Sequence, residues 1–340
     1  MKEKDEYILI SHGDGGIKTQ ELVEKIISKY IKNPVLDRFE DSAILHGCRQ
    51  KLAFTTDSFV IDPIFFPGGD IGKLSVCGTI NDLAASGAVP KYMSLSLILE
   101  EGLSLNSLEK IMKSIKLALS EAEADVLVVA GDTKVVNRGS ADKIYINTSG
   151  IGIISQSREL SPSRIMPGDR IILTGSVADH GIAVLSSRKE FNFKTKLKSD
   201  CAPLNNLILE SLSCSKNIHA ARDATRGGLA RVLIELARSS KHDFHINSSK
   251  IPVKKEARAI CDFLGMDPLY IANEGKMVIF VTESDSRKVL DTVRKNRYGK
   301  DAEIIGFVEQ KGSGNVILET VLGTNRILDL HYSEQLPRIC

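Results

Sequence analysis

Five aspartates stand where apolar runs end or helical patterns begin. Carboxylates so placed can hold a divalent cation against phosphate oxygens. Asp57 lies in Phe54-Thr55-Thr56-Asp57-Ser58, Asp82 in Asn81-Asp82-Leu83-Ala84, and Asp132 in Ala130-Gly131-Asp132-Thr133-Lys134. Asp41 begins Asp41-Ser42-Ala43-Ile44, and Asp223 opens Asp223-Ala224-Thr225-Arg226-Gly227-Gly228. Magnesium–nucleotide chemistry needs hard oxygen ligands gathered from several elements, which this pattern can supply. Any one of these aspartates alone reads more simply as a turn or N-cap residue. Together, beside Gly-rich loops, they favour the functional reading.

Ser11-His12-Gly13-Asp14-Gly15-Gly16 can wrap a phosphate with backbone N–H groups, and reads equally as an ordinary Gly-rich turn. The segment from Asp223 to Gly228 precedes a helical pattern, so it presents either N–H groups at a positive helix end or a capped helix start. Asn273-Glu274-Gly275-Lys276 reads most simply as a hairpin turn between two strands. Other signatures fail. Pro67-Gly68-Gly69-Asp70-Ile71-Gly72-Lys73-Leu74 resembles a Walker A loop, but its first glycine falls one residue late and Leu74 replaces the hydroxyl. Lys18 occupies the third glycine position of a dinucleotide fingerprint. Neither H-E-x-x-H nor a zinc-spaced Cys/His cluster occurs.

Cys340 is the sharpest single feature. It ends His331-Tyr332-Ser333-Glu334-Gln335-Leu336-Pro337-Arg338-Ile339-Cys340, a segment with no element to bury it and a proline that disfavours a helix. Ten extended residues reach at most ~33–36 Å, so a thiol on such a tail can swing between a donor and an internal site. A tethered thiol of this kind suits a covalent carrier.

Elements must position these groups. A chain of 340 residues exceeds what one core usually supports, so two domains are expected. Apolar runs and helical patterns alternate, predicting strands at Tyr7–Ile10, Lys51–Thr56, Tyr92–Leu99, Val126–Ala130 and Lys143–Ile154. Helices are predicted near 19–30, 70–86 and 104–121. The Pro- and Ser-rich stretch from Gln156 to Gly168 marks the boundary. Beyond it come strands at Arg170–Thr174, Phe244–Ile246, Met277–Val281, Glu303–Val308 and Val316–Leu318, and helices near 181–189, 204–213, 226–239 and 254–264. The class is α/β or α+β, with mixed sheets flanked by helices. The divisions are 1–155, 165–329 and a mobile tail, 330–340.

Composition removes other classes. With 45 Lys plus Arg against 43 Asp plus Glu, no cationic excess exists to drive phosphate-backbone binding, so nucleic acid is not expected as a partner. No apolar run approaches the ~18 residues of a membrane span. The charged opening, Met1 to Glu6, reads as no secretory signal. Six cysteines without a paired framework read as reduced, which points to the cytoplasm.

Taken together, these motifs resemble one family, the HypE carbamoyl dehydratases of hydrogenase maturation. The carrying segments are Ser11-His12-Gly13, Thr55 to Phe59, Phe65 to Lys73, Asn81 to Ala84, Gly131 to Val135, Lys198-Ser199-Asp200-Cys201-Ala202-Pro203-Leu204, Thr225 to Gly228, Asn273 to Lys276 and the terminal Pro337-Arg338-Ile339-Cys340. The aspartate and T-R-G-G motifs are shared with aminoimidazole ribonucleotide synthetase, selenophosphate synthetase and thiamine-monophosphate kinase, whereas P-R-I-C is specific. The resemblance implies an aminoimidazole ribonucleotide synthetase-like fold of two α/β domains, with a homodimer formed through the N-terminal sheets. It implies ATP with Mg2+ in the N-terminal domain. The implied reaction dehydrates a carbamoyl group on Cys340 to a thiocyanate, with the carbamoyltransferase HypF as donor and the HypC–HypD complex as cyanide acceptor.

By the same resemblance, Asp41, Asp57, Asp82 and Asp132 hold magnesium. Gly13, Gly15, Gly16, Asp57, Asp82, Asp132, Thr133 and Asp223 meet the nucleotide, and the loop from His12 to Gly16 closes over the phosphates. Cys340 is the carrier, and Lys134, Glu274 and His12 are candidate bases. A Lys134–Glu274 pairing is favoured, with Glu274 as the base because a neighbouring carboxylate keeps a lysine charged. Two positions depart from the family pattern: Asp14, which adds negative charge beside the phosphates, and Ser42 in Glu40-Asp41-Ser42, where the family usually has a second aspartate. Selenophosphate synthetase needs a Cys or selenocysteine in the N-terminal loop, which has none here. A kinase gives no reason for a terminal cysteine, and a non-catalytic docking scaffold is a further alternative.

Overall fold

The computed structural model describes residues 16–22, 43–46, 50–154, 160–191, 193–310, 312–330, 336 and 338–340. The expected strand at 7–10, most of the helix expected over 19–30, His12, Gly13, Gly15 and Asp41 lie outside the described residues.

After helix α1 (Ile17–Leu22), the first half forms a five-stranded sheet in the order β1-β2-β7-β5-β6. Its strands are β1 (Ala43–His46), β2 (Lys51–Phe59), β5 (Val89–Glu100), β6 (Leu127–Val136) and β7 (Ile144–Ile154). A two-residue ribbon, β3 (Phe65–Phe66) with β4 (Gly69–Asp70), precedes helix α2 (Ile71–Ala85). The Walker A look-alike is therefore a helix start: Asp70 caps α2, accepting from the N–H groups of Gly72 and Lys73 at 2.8 and 3.0 Å. Helix α3 (Leu105–Glu121) is the crossover between the parallel pair β5 and β6. Strict alternation in β7 buries Ile144, Ile146 and Thr148 against the helices and leaves the opposite face half-exposed. In β2 the same alternation turns Thr55, Asp57 and Phe59 toward α2.

The second half is a seven-stranded sheet in the order β14-β13-β10-β12-β8-β11-β9. Its strands are β8 (Arg170–Leu173), β9 (Ile218–Asp223), β10 (Phe244–Asn247), β11 (Met277–Val281), β12 (Glu303–Val308), β13 (Val316–Glu319) and β14 (Asn325–Ile327). The helices are α4 (Asp179–Ser186), α5 (Asn205–Cys214), α6 (Gly228–Ser240), α7 (Lys255–Leu264) and α8 (Glu283–Lys295). Both faces of this sheet are covered. Ile171, Leu173, Val278 and Phe280 join one core with α6, while Ile172, Met277, Ile279 and Val281 join another with α5 and α8. That double burial makes β11 an unbroken apolar run.

A third cluster crosses between the halves: Leu74, Val76, Cys77 and Ile80 of α2 pack in the same core as Ile182 and Leu185 of α4 and, from the tail, Leu336 and Ile339. Among the described residues no helix is long and apolar enough to cross a membrane. Helix α8 and strand β9 were not anticipated, and the segment 273–276 is no hairpin. A 3₁₀ turn (Pro268–Tyr270) precedes it and β11 follows, so the segment is a buried lead-in to a central strand. Leu74 has no exposed surface at the centre of the shared cluster, so Leu74→Ala is expected to cost about 2–5 kcal/mol of unfolding free energy in urea titration. A change under 1 kcal/mol would show that the site collapses around the void.

Candidate active site between the two sheets

Where β2, α2, the end of β9 and the lead-in to β11 converge, the aspartates prove not to be caps. Asp57 lies inside β2 and Asp82 inside α2. Thr79 donates its hydroxyl to Asp57 at 3.1 Å, and Thr55 donates to Asp82 at 2.6 Å. Burial pushes the Asp57 carboxyl above its ordinary range, partly offset by the Thr79 bond, Arg226 and a hydrogen bond with Asp82. Asp223 ends β9 and is buried, yet α6 begins at Gly228 with no side-chain cap among the described residues. The aspartate is thus free of the capping role. Burial, with the Asp57 charge adding to it against Arg222, raises its pKa to about 6.

Glu274 is 3% exposed, and its Oε1 finds no hydrogen-bond partner among the described residues. Burial, with Cys201, Asp223 and Asp200 nearby, pushes this carboxyl well above the usual range, against Arg226. Its main chain is fixed from both halves of the molecule. Asp200 accepts from the N–H groups of Glu274 and Gly275 at 3.1 and 3.2 Å and pairs with Lys276 at 3.2 Å. Burial alone would raise Asp200, but Lys276 and these N–H groups hold it below its ordinary value. Asn81 of α2 donates to the Ala202 carbonyl at 3.0 Å and accepts from Leu204 N–H at 2.7 Å. The approach is close enough that a Cβ on Gly275 would sit 1.9 Å from the Asp200 carbonyl oxygen. Gly68, at φ +99°, meets Ser199 in the same way, its Cβ position lying 2.8 Å from that carbonyl.

Other expectations fail. Lys134 does not reach Glu274. It lies exposed on β6 and forms an ion pair with Asp132 at 2.6 Å. That bond, with the Thr133 N–H, holds the Asp132 carboxyl below its ordinary range. Asp57 and Asp132 are three strands apart in the sheet, about 14 Å at ordinary strand spacing, so one ion cannot take both from a single chain. Among the described residues no three acidic, His or Cys side chains converge to chelate a metal by themselves. Asp57 and Asp82, in mutual contact, supply two carboxylates, which suits magnesium when phosphate oxygens complete its shell. Gly16 falls just before α1, and Thr133 sits beside Asp132 on β6.

The tail expectation also needs correction. Its last residues find a partner in the segment that continues β2. Val60 N–H donates to the Cys340 carbonyl at 3.1 Å, and Asp62 N–H to the Arg338 carbonyl at 3.2 Å. Arg188 donates to the same Arg338 carbonyl at 3.0 Å, Arg338 pairs with Asp142 at 2.7 Å, and Ile339 is buried. An apolar residue flanked by open backbone groups lets a short segment add to an extended edge. Sequence reasoning missed Asp200 and Arg226 as site residues, although both stand inside motifs that drew attention.

The AIR synthase related protein N-terminal domain matches residues 39–154, and the C-terminal domain of the same family matches residues 166–319. Carbamoyl dehydratase HypE of Rhodobacter capsulatus is 40% identical over 344 aligned residues, covering 100% of each chain. The crystal structure of a HypE–HypF complex is similar at 44% identity and a TM-score of 0.86, over 91% of this chain and 99% of that one. A crystal structure of HypE in complex with ATP is similar at 42% identity and a TM-score of 0.82, over 98% of this chain and 100% of that one.

The unfolded Asp223 carboxyl releases its proton near 3.8 and the folded one near 6, so stability is full below about pH 4 and is lost as pH rises through 6. In the metal-free protein, Asp223→Asn is therefore expected to exceed wild type in unfolding free energy by about 3 kcal/mol above pH 6, and by little below pH 4. Urea titrations across that range check it. A pH-independent difference would contradict it.

Proposed function

The chain belongs to the HypE carbamoyl dehydratase family within the AIR synthase related proteins, and on that premise we propose how its residues carry out the reaction. Cys340 carries a carbamoyl group as a thiocarbamate, received from a HypF-type carbamoyltransferase. The carboxamide oxygen is a poor leaving group. Transfer of the ATP γ-phosphoryl to it makes phosphate the leaving group, with ADP released. Loss of both nitrogen protons and cleavage of the C–O bond then yield S–C≡N and inorganic phosphate. The cyanide passes to iron on a HypC–HypD complex. Atoms balance as thiocarbamate plus ATP giving thiocyanate, ADP, phosphate and one proton.

The observation that carries this reading is Glu274. A buried carboxyl held well above the usual range, with one oxygen unpartnered among the described residues, is suited to take a proton from nitrogen. Asp57 and Asp82 would hold Mg2+, which supplies charge neutralisation along the triphosphate. Asp223, released from capping, faces the same acidic group, and Arg226 offers a cation to phosphate. The docked tail supports delivery of the sulfur here, since Val60, which holds the Cys340 carbonyl, is three residues past Asp57. The reading keeps Cys340 and Glu274 and leaves Lys134 away from the base. His12, outside the described residues, remains a candidate.

A homodimer has support of its own. The outer face of the five-stranded sheet exposes Phe54, Tyr92 and Ile98, and edge strand β6 exposes Val129 and Val135. A long, uncovered apolar edge of this kind invites pairing with a second copy. Ile98→Glu is expected to shift the light-scattering mass from dimer to monomer, and a monomeric wild type would refute the dimer.

The reaction is tested by the intact mass of the C-terminal peptide after incubation with a carbamoyl-donating partner, with and without Mg-ATP. A carbamoyl adduct on Cys340 that loses one water only with ATP is the expected result. An unmodified Cys340 under both conditions overturns it. Glu274→Gln should load the carbamoyl group normally and form thiocyanate at least about a hundredfold more slowly, the usual range for losing a general base. Unchanged dehydration would remove Glu274 from the role.

A further inference from the structure

His180 lies in α4, outside every motif that drew attention in the sequence, and has no exposed surface. Its Nε2 is 2.7 Å from the Ile339 carbonyl oxygen, and its Nδ1 is 2.8 Å from Ser199 Oγ. These partners fix the ring. A carbonyl only accepts, so Nε2 carries the hydrogen, and in the neutral ring Nδ1 must accept from the Ser199 hydroxyl. Ser199 Oγ in turn accepts from Cys201 N–H at 3.1 Å. Burial favours that neutral ring, outweighing the pull of Asp200 toward protonation. Phe66, edge-on at 5.4 Å between centroids, packs against it.

The chain of contacts continues. Ser199 N–H donates to the Pro67 carbonyl at 2.8 Å, and its neighbour Asp200 accepts from the main chain of Glu274 and Gly275. The residue that holds the tail's penultimate carbonyl therefore also sets the segment that sets Glu274. We infer that His180 is a positioning residue that latches the docked tail and couples docking to the placement of the base. A side chain here must donate on one side and accept on the other, since failure on either side leaves a buried group unpaired. Glutamine can do both at similar reach, and phenylalanine neither. The coupling to catalysis rests on the dehydratase reading, whereas the latch does not.

The test uses the full chain and two readouts: the iodoacetamide alkylation rate of Cys340, read on the C-terminal peptide, and the rate of thiocyanate formation from carbamoylated Cys340 with Mg-ATP. In His180→Phe, alkylation is expected to rise about tenfold, equivalent to about 1.4 kcal/mol of lost docking. Dehydration is expected to slow by a similar factor. His180→Gln is expected to bring both rates within about threefold of wild type, a rescue that simple loss of core packing would not give. Ser199→Ala frees the ring to take the other tautomer and is expected to raise alkylation severalfold. It decides the matter alone if His180→Phe does not fold. Wild-type alkylation in the folded variants, or slowed dehydration without faster alkylation, overturns the latch. A wild-type carbamoyl adduct that fails to lose water defeats the dehydratase reading while leaving the alkylation result to judge the latch.

Discussion

A carboxylate can stay charged between two domains only where donors surround it, and Asp200 is such a carboxylate. Lys276 and the N–H groups of Glu274 and Gly275 meet it, and in doing so they bind the segment before β11 to the strand-like stretch that carries Ser199 and Ala202. Much else is forced by this. Residue 275 has to be glycine because the Asp200 carbonyl occupies the space of a Cβ. Asn81 completes the seam from the first domain, spending its amide on the Ala202 carbonyl and the Leu204 N–H. The Glu274 side chain is left buried with its main chain immobilised, and burial raises a carboxyl's pKa by disfavouring its charged form.

Around this fixed point the molecule keeps an unfavourable charge arrangement. Asp57, Asp223 and Glu274 all sit above their ordinary pKa values, because burial strips their water and, for Asp223 and Glu274, other acids lie close by. A fold selected for stability alone would put apolar or amide side chains there. A cation shared with phosphates would relieve the strain. The excess of acid is therefore the feature of the resting protein that speaks most directly for its chemistry.

Much of this was readable in the sequence wherever the signal was local. The runs in β8 and β11 announce strands because both faces are buried. Cys340 drew attention because a cysteine is unusual on such a tail, and Asp57 and Asp223 because they belong to a set of aspartates beside Gly-rich loops. Helix α8 escaped notice because only Ser286, Val289, Leu290 and Val293 are buried on an otherwise charged surface, and β9 because Ala220, Ala221, Arg222 and Asp223 carry little strand preference. His180 was invisible for a different reason. Its partner carbonyl is 159 residues away, and no local pattern encodes a contact of that separation. The Lys134–Glu274 pairing failed in the same way, since motifs name residues without saying which side of a sheet they occupy.

The grip on the tail falls on three consecutive carbonyl oxygens, those of Arg338, Ile339 and Cys340. Main-chain oxygens are a handle whose shape does not depend on the load. Thiol, thiocarbamate and thiocyanate would all present the same three atoms to Asp62, Arg188, His180 and Val60. The dock therefore distinguishes cargo poorly through these contacts. The timing of arrival and departure would then fall to whatever surrounds the sulfur.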